Sequence, residues 1–396
     1  MIADAATAKL REDDDLDWKE SVDEIKDAKE FAKDVAAMAN TAGGLIVFGV
    51  REDGADHAEE IVGIVNPQPH VQSMRAKASM IRPFVPALRI YAVPLTQRPG
   101  KHLIVVEVPK SPEAPHLVPQ SKESWGLPRR RGSDTDWLGE SDLEAAYAGR
   151  FRRRREAADY LDALADQVAG PGGRLESTTQ SIWLTVAASC SVPSAVDAHD
   201  VVDGSTQEPS LIAAHGLLPE GNLLWHKFDG VTSRPRIGLR RSVISADWPY
   251  RGKSKKAHLE LLHDGSFTGA LDLGYTDAVG GRRYLPQRSL EQAIQALLTL
   301  AALHADRRKA DGILQVRADI PVVLGGGQPI ALTHQMHVIG EPEPVPSSIA
   351  AQRIVPVTGE APLADVVSLE HIRSQLIQQL SLDLVHQFSV ATLTGL

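Results

Sequence analysis

Residues 31–54 read FAKDVAAMANTAGGLIVFGVREDG, and the fold turns on how this stretch is read. Ala32, Val35, Ala36 and Ala39 share one stripe at helical spacing, which predicts a helix with a narrow apolar face. Small residues dominate the stripe, so the helix backbone is expected close against a sheet. Asn40-Thr41-Ala42-Gly43-Gly44 ends the helix, because paired glycines supply the positive φ angles of a tight reversal. Leu45–Val50 is a short, continuously apolar, β-branched run, the pattern of a strand buried on both faces. Arg51-Glu52-Asp53-Gly54 closes it as a polar turn.

Outward from this unit, Leu16-Asp17-Trp18-Lys19-Glu20-Ser21 precedes the helix. Ile61-Val62-Gly63, the apolar run Leu103–Val108 and Arg130-Arg131-Gly132-Ser133 follow it. In this order the pieces resemble the Alba-like domain of the Schlafen family. That domain pairs an Ala-Asn-Thr-x-Gly-Gly turn with an apolar strand ending in Gly-Val, after a Leu-Glu-Phe-Lys-Glu-Ser element. The resemblance covers roughly residues 10–147, a little over a third of the chain.

With 396 residues the chain has room for two domains, each with its own core. Its 43% apolar and 23% charged content is that of a soluble globular protein. The absence of an apolar run of membrane-spanning length and an acidic N-terminus lead to the expectation of a cytoplasmic protein with no membrane partner. A single cysteine, Cys190, excludes an intramolecular disulfide and a cysteine-rich zinc site. A net charge of −9 argues against indiscriminate nucleic-acid binding over the whole surface. The arginines are nevertheless clustered: Arg129-Arg130-Arg131, then Arg150 and Arg152–Arg155. Arg129, Arg130, Arg131, Arg152 and Arg153 are the candidate nucleic-acid contacts, against the alternative of a solvated helix face.

Further helices are predicted over 22–38, as one or as two with a break near Asp27, and over 71–81, 141–167, 289–305 and 368–388. Strands are predicted over 88–94, 102–108, 181–188, 236–245, 258–262, 313–318 and 330–339, with a hairpin at Asp264-Gly265. Gly170-Pro171-Gly172-Gly173 is the expected domain boundary. The organisation expected is α+β: an N-terminal Alba-like α/β lobe (10–150), a basic helix and Gly/Pro linker (151–176), and a separate α+β domain (177–396).

Glu12 to Asp17 places five carboxylates in six positions, a self-repelling cluster that favours a nearby cation. The family resemblance implies a three-carboxylate nuclease site: a Glu-x-x-x-x-Glu element plus a third acid after the Gly-Val strand. Glu12 and Asp17 match the first two positions, with aspartate for the second glutamate. Arg51 sits where the third acid often stands, so Glu52 or Asp53 would substitute. The metal set expected is Glu12, Asp17 and Asp53, holding Mg²⁺ or Mn²⁺, since hard cations prefer oxygen ligands. Lys19 falls on the same side as Asp17 in an extended segment and would hold a phosphate, or else pair with a neighbouring acid. The other reading of the acids is a solvated acidic start to a helix.

Asn40, Thr41, Gly43 and Gly44 make the turn, and their backbone N–H groups could also meet an anion. Gly325-Gly326-Gly327 lacks the following Lys-Ser/Thr of a phosphate loop, so no nucleotide-binding loop is found. His334 and His337, two sites on opposite faces of a strand with no acidic neighbour, do not make a zinc site. Cys190 reads as an inert core residue.

The resemblance implies a nucleic-acid-binding protein, with RNA favoured over DNA, and a metal-dependent endoribonuclease acting on structured RNA such as transfer RNA, in defence against phage. A single lobe would need a homodimer to build the family's positively charged cradle. The C-terminal domain would then respond to an unknown ligand or trigger. The competing reading is a non-catalytic DNA-binding transcriptional regulator with a sensing C-terminal domain.

Overall fold

The computed structural model describes residues 11–25, 27–53, 55–121, 123–169, 181–194, 209–219, 235–250, 253–276, 281–321, 328–334, 345–346 and 348–394. The chain is α+β and divides into two compact units, Met1–Glu156 and Ala157–Leu396. The division falls inside a helix, whereas the Gly170–Gly173 stretch lies outside the described residues.

The first unit runs β1 (Leu16–Lys19), α1 (Ala28–Ala39), β2 (Gly44–Phe48), β3 (Val50–Glu52), β4 (Ala58–Ile61), β5 (Ile64–Val65), α2 (Gln68–Ala78), β6 (Arg89–Pro94), β7 (Lys101–Val108), β8 (Val118–Pro119), β9 (Trp125–Arg131) and β10 (Asp134–Leu138). Helix α3 (Glu140–Ala169) carries the division between units.

The break expected near Asp27 is a helix start: Val22–Ile25 is a 3-10 turn, and the Asp27 carboxylate caps α1 by accepting the Lys29 N–H at 2.8 Å. Along α1, Phe31, Ala32, Val35, Ala36 and Ala39 are buried. At its end the N–H groups of Thr41 and Gly43 both donate to the Met38 carbonyl at 2.9 Å. Gly43 has φ +78°, and a Cβ there would lie 2.4 Å from the Lys110 backbone nitrogen. Only glycine can make this reversal.

Strand β2 then enters the sheet between β1, parallel to it, and antiparallel β7, which also pairs with β5 and β6. Ile46 and Phe48 face the core shared with α1 and α2, while Val47 faces a second cluster with Trp18, Val50, Ala58 and Leu103. The strand is therefore buried on both faces. It is shorter than its apolar run, because Gly49 at φ +99° breaks the chain away into the β3–β4 hairpin. A separate three-stranded sheet, β10-β9-β8, follows.

The second unit contains β11 (Trp183–Val192), α4 (Pro209–Leu217), β12 (Arg236–Gly238), β13 (Arg241–Tyr250), β14 (Lys253–Leu262), β15 (Phe267–Asp272), β16 (Tyr275–Thr276), β17 (Arg283–Pro286), α5 (Gln287–Arg307), β18 (Asp311–Asp319), β19 (Ile330–Thr333), β20 (Val357–Pro362), α6 (Leu363–Ser368) and α7 (Glu370–His386). Seven strands form an antiparallel sheet in the order β12-β13-β14-β15-β11-β18-β20, and α5 packs its leucines into the unit's core. One single element of the sequence reading is a pair in the structure: residues 236–245 make a hairpin that turns at Arg240 (φ +54°). The helix expected over 368–388 is α7, and the extended Leu369 separates its start from α6. Cys190 lies on β11, and burial pushes its thiol up to about 12.

Candidate functional site

Two backbone connections bring distant acids together at the start of β1. The Glu12 N–H donates to the Asp56 carbonyl at 2.8 Å, tying the chain's start to the loop that follows β3. In the β3–β4 hairpin the register shifts between Arg51 and Glu52. As a result Glu12, Glu52 and Asp56 each offer a carboxylate oxygen, all within 4.8 Å of one another. Glu12 is the buried member, its side chain 6% exposed, and its Oε1 accepts the Trp18 N–H at 2.5 Å. Burial above all, then the Asp17 charge, raises its carboxyl to about 7, against the opposing pull of the Trp18 amide and Lys19.

Asp17 belongs to a different group. Its Oδ1 accepts from Arg130 Nη2 at 2.8 Å and from Lys19 Nζ at 3.2 Å. Its Oδ2 also lies 3.2 Å from Lys19 Nζ but takes part in no hydrogen bond. Arg130 is 2% exposed and reaches within 3.8 Å of Glu12 Oε2, so one guanidinium neutralises part of both acids. Asp34 on α1 is the further acid beside this group: burial first, and Asp17 second, raise it to about 6. Burial pulls the Lys19 amine down, but the charges of Asp17 and Asp34 outweigh it, and the net direction is up.

Asp53, expected as a metal ligand, is instead the brace of its own turn. Its Oδ1 accepts the N–H groups of Ala55 at 2.9 Å and His57 at 3.0 Å, which hold its carboxyl below the usual range. Arg51, in the place of an acid, bonds Glu20 at 2.8 Å and Glu60 at 2.8 Å. Of the expected residues, Glu12 and Glu52 meet. Asp17, Lys19 and Arg130 make the neighbouring ion-pair group, and Asp53 stands outside both. Asp56 and Asp34 escaped sequence reasoning. Asp56 is returned to Glu12 by the loop after β3, and Asp34 sits on a helix turn whose buried side only the packing reveals.

The Asn40 turn positions the basic strand. Asn40 Nδ2 donates to the carbonyls of His116 (2.9 Å) and Pro128 (2.8 Å), while its Oδ1 accepts the His116 N–H at 2.7 Å. Thr41 Oγ1 accepts the Arg130 N–H at 3.1 Å. These bonds set β9 so that Arg130 points inward and Arg129 and Arg131 outward. Arg130, expected as a nucleic-acid contact, is thus buried and engaged by Asp17 and Glu12 of its own chain. Arg131 pairs with Asp136 at 3.1 Å.

The helical run divides in the same way. Arg150 and Arg153 donate to carbonyls of Pro112, Ala114 and Pro115, and Arg154 pairs with Glu113 at 2.6 Å. Arg153, expected as a nucleic-acid contact, is thereby engaged by its own chain, whereas Arg152 is exposed. The glycine loop 325–327 and His337 lie outside the described residues. Among the described residues, no helix is long and apolar enough to cross a membrane.

No curated protein matches the chain. Residues 12–136, which contain the acidic trio, the Asn40 turn and the Arg130 strand, match the family model described as Schlafen, AlbA_2. The N-terminal unit therefore carries a Schlafen AlbA_2 domain.

Proposed function

We propose that this protein binds nucleic acid through its AlbA_2 domain and cleaves RNA with a divalent cation held by Glu12, Glu52 and Asp56. The observation that carries the reading is the convergence of those three carboxylates within 4.8 Å. The donor set fits a hard cation: all ligand atoms are oxygens, and burial and the Asp17 charge push Glu12 up to about 7 despite the nearby Arg130 and Lys19 charges. When bound, Mg²⁺ or Mn²⁺ would supply activation of a water and stabilisation of charge on a phosphate. Around it the chain's own groups have defined tasks. The Trp18 N–H fixes the Glu12 carboxylate, and Lys19, oriented by Asp17, offers a cation at the same strand for a phosphate oxygen. Arg130 holds the strand carrying Asp17 in place from within.

A second reading, a non-catalytic DNA-binding regulator, draws support from the Arg130–Asp17 pair, which already neutralises one acid of the family pattern. Incubation of the full chain with total RNA, with and without Mn²⁺, separates the two. The nuclease reading expects Mn²⁺-dependent cleavage that falls at least ~100-fold in Glu52→Gln and in Asp56→Asn, with loss of calorimetric Mn²⁺ binding. Asp53→Asn should keep both. Equal cleavage by all variants sinks the trio, and absence of cleavage together with tight DNA binding transfers the function to the regulator.

A further inference from the structure

The arginine-rich segment of α3 is split by its own helical period. Arg150 and Arg153 turn inward onto the 112–115 loop, and Arg154 is held by Glu113. The opposite stripe carries Ala148, Phe151, Arg152 and Arg155, spaced three and four apart, which places them side by side. All four are exposed: Phe151 leaves 61% of its surface in solvent, and the Arg152 side chain is 74% exposed. Arg152 has only a loose contact with Glu156 at 3.9 Å, and Arg155 pairs with no acid among the described residues.

We infer that this stripe is a contact for single-stranded nucleic acid, in which a base stacks on Phe151 while Arg152 and Arg155 meet the flanking phosphates. The inference rests on the nucleic-acid reading of the AlbA_2 domain and adds a strand preference to it. Charge complementarity selects the occupant: two cations without strong partners flank one aromatic face, the combination that single strands use, because every base has a π-face. A duplex hides those faces within its stack, so it can use the arginines but not the ring. A lipid surface would need a broader apolar face than one phenylalanine between arginines.

The test measures binding of the full-length protein to a fluorescent oligouridine and to a duplex RNA of equal length, over a salt series without divalent cations. Phe151→Ala should weaken oligouridine binding about tenfold, leave duplex affinity within twofold and keep the salt slope. Phe151→Trp should restore the loss. Arg152→Gln with Arg155→Gln should weaken both ligands and reduce the single-strand slope by about 1.4. Unchanged oligouridine affinity in Phe151→Ala, with wild-type binding intact, overturns the stripe and leaves the domain reading standing. If the wild type binds neither RNA, both fall. If Phe151→Ala changes oligomeric state and weakens both RNAs equally, the stripe is a protein–protein face and the inference is wrong.

Discussion

At the scale of single residues, the most consequential feature is the direction in which Arg130 points. Three consecutive arginines on a strand cannot share a face, and the middle one is spent inside the protein against Asp17 and Glu12. Removing one partner of a buried ion pair strands the other, at a cost of roughly 3–5 kcal/mol. Arg130→Met is therefore expected to lower stability on that order in urea unfolding. A second change, Asp17→Asn, should recover much of the loss. Arg129→Ala, on the exposed side of the same strand, should leave the urea midpoint unchanged. If Arg130→Met unfolds at the wild-type midpoint, the ion pair contributes nothing.

At the scale of elements, the 111–116 loop is held by Arg150 and Arg153 from one side and Asn40 from the other, with His116 buried between. The His116 Nδ1–H faces the Pro83 carbonyl at 2.9 Å, its Nε2 has no partner, and burial lowers the ring from 6.5 to about 4. The unfolded chain therefore binds more protons between those values, and stability rises with pH across that window. Its contribution is complete above pH 6.5 and is lost as pH falls toward 4, up to about 3 kcal/mol. Glu12 and Asp34, both raised, act with the opposite sign over an overlapping range. The difference between wild type and His116→Asn isolates the histidine. The variant's stability should be flatter from pH 7 to 4, and parallel curves would remove His116 from the account.

Elements were legible where a local rule decides them. The glycine pair, the buried run of β2, the Asp27 helix start and the Asp264-Gly265 hairpin all follow from nearby residues. The candidate site was legible only in part. Glu12 and Glu52 announce themselves as acids, but the approach of Asp56 depends on a cross-chain bond at Glu12 and a register shift in a short hairpin. The inward turn of Arg130 depends on strand parity, which is fixed by Asn40 and Thr41 many residues away. Long-range pairing of this kind leaves no periodic trace in the sequence.

At the scale of the whole molecule, the units have separate hydrophobic cores: Phe31, Ile46, Phe48 and Met74 lie in the first, and Leu290, Leu297, Leu314 and Leu380 in the second. Leu297 on α5 is wholly buried. Leu297→Ala should cost about 3 kcal/mol. It should be read as loss of the protease-resistant fragment of the second unit at lower urea, with the first unit's fragment surviving to its usual concentration. Simultaneous loss of both fragments would show that the two cores melt as one.

Asn40 also bears on the order of events in folding. Its side chain bonds residues 76 and 88 positions further along, so it cannot be satisfied until the last strands of the domain have arrived. Contacts with such separation close long loops and tend to form after the rate-limiting step. The turn residue that is local in sequence is thus a latch set late. Asn40→Ala, at a cost of about 2 kcal/mol, is expected to speed unfolding about 30-fold and leave the folding rate nearly unchanged in a stopped-flow chevron. A slowed folding arm would place the latch inside the nucleus instead, and the domain would then begin to fold from its two ends at once.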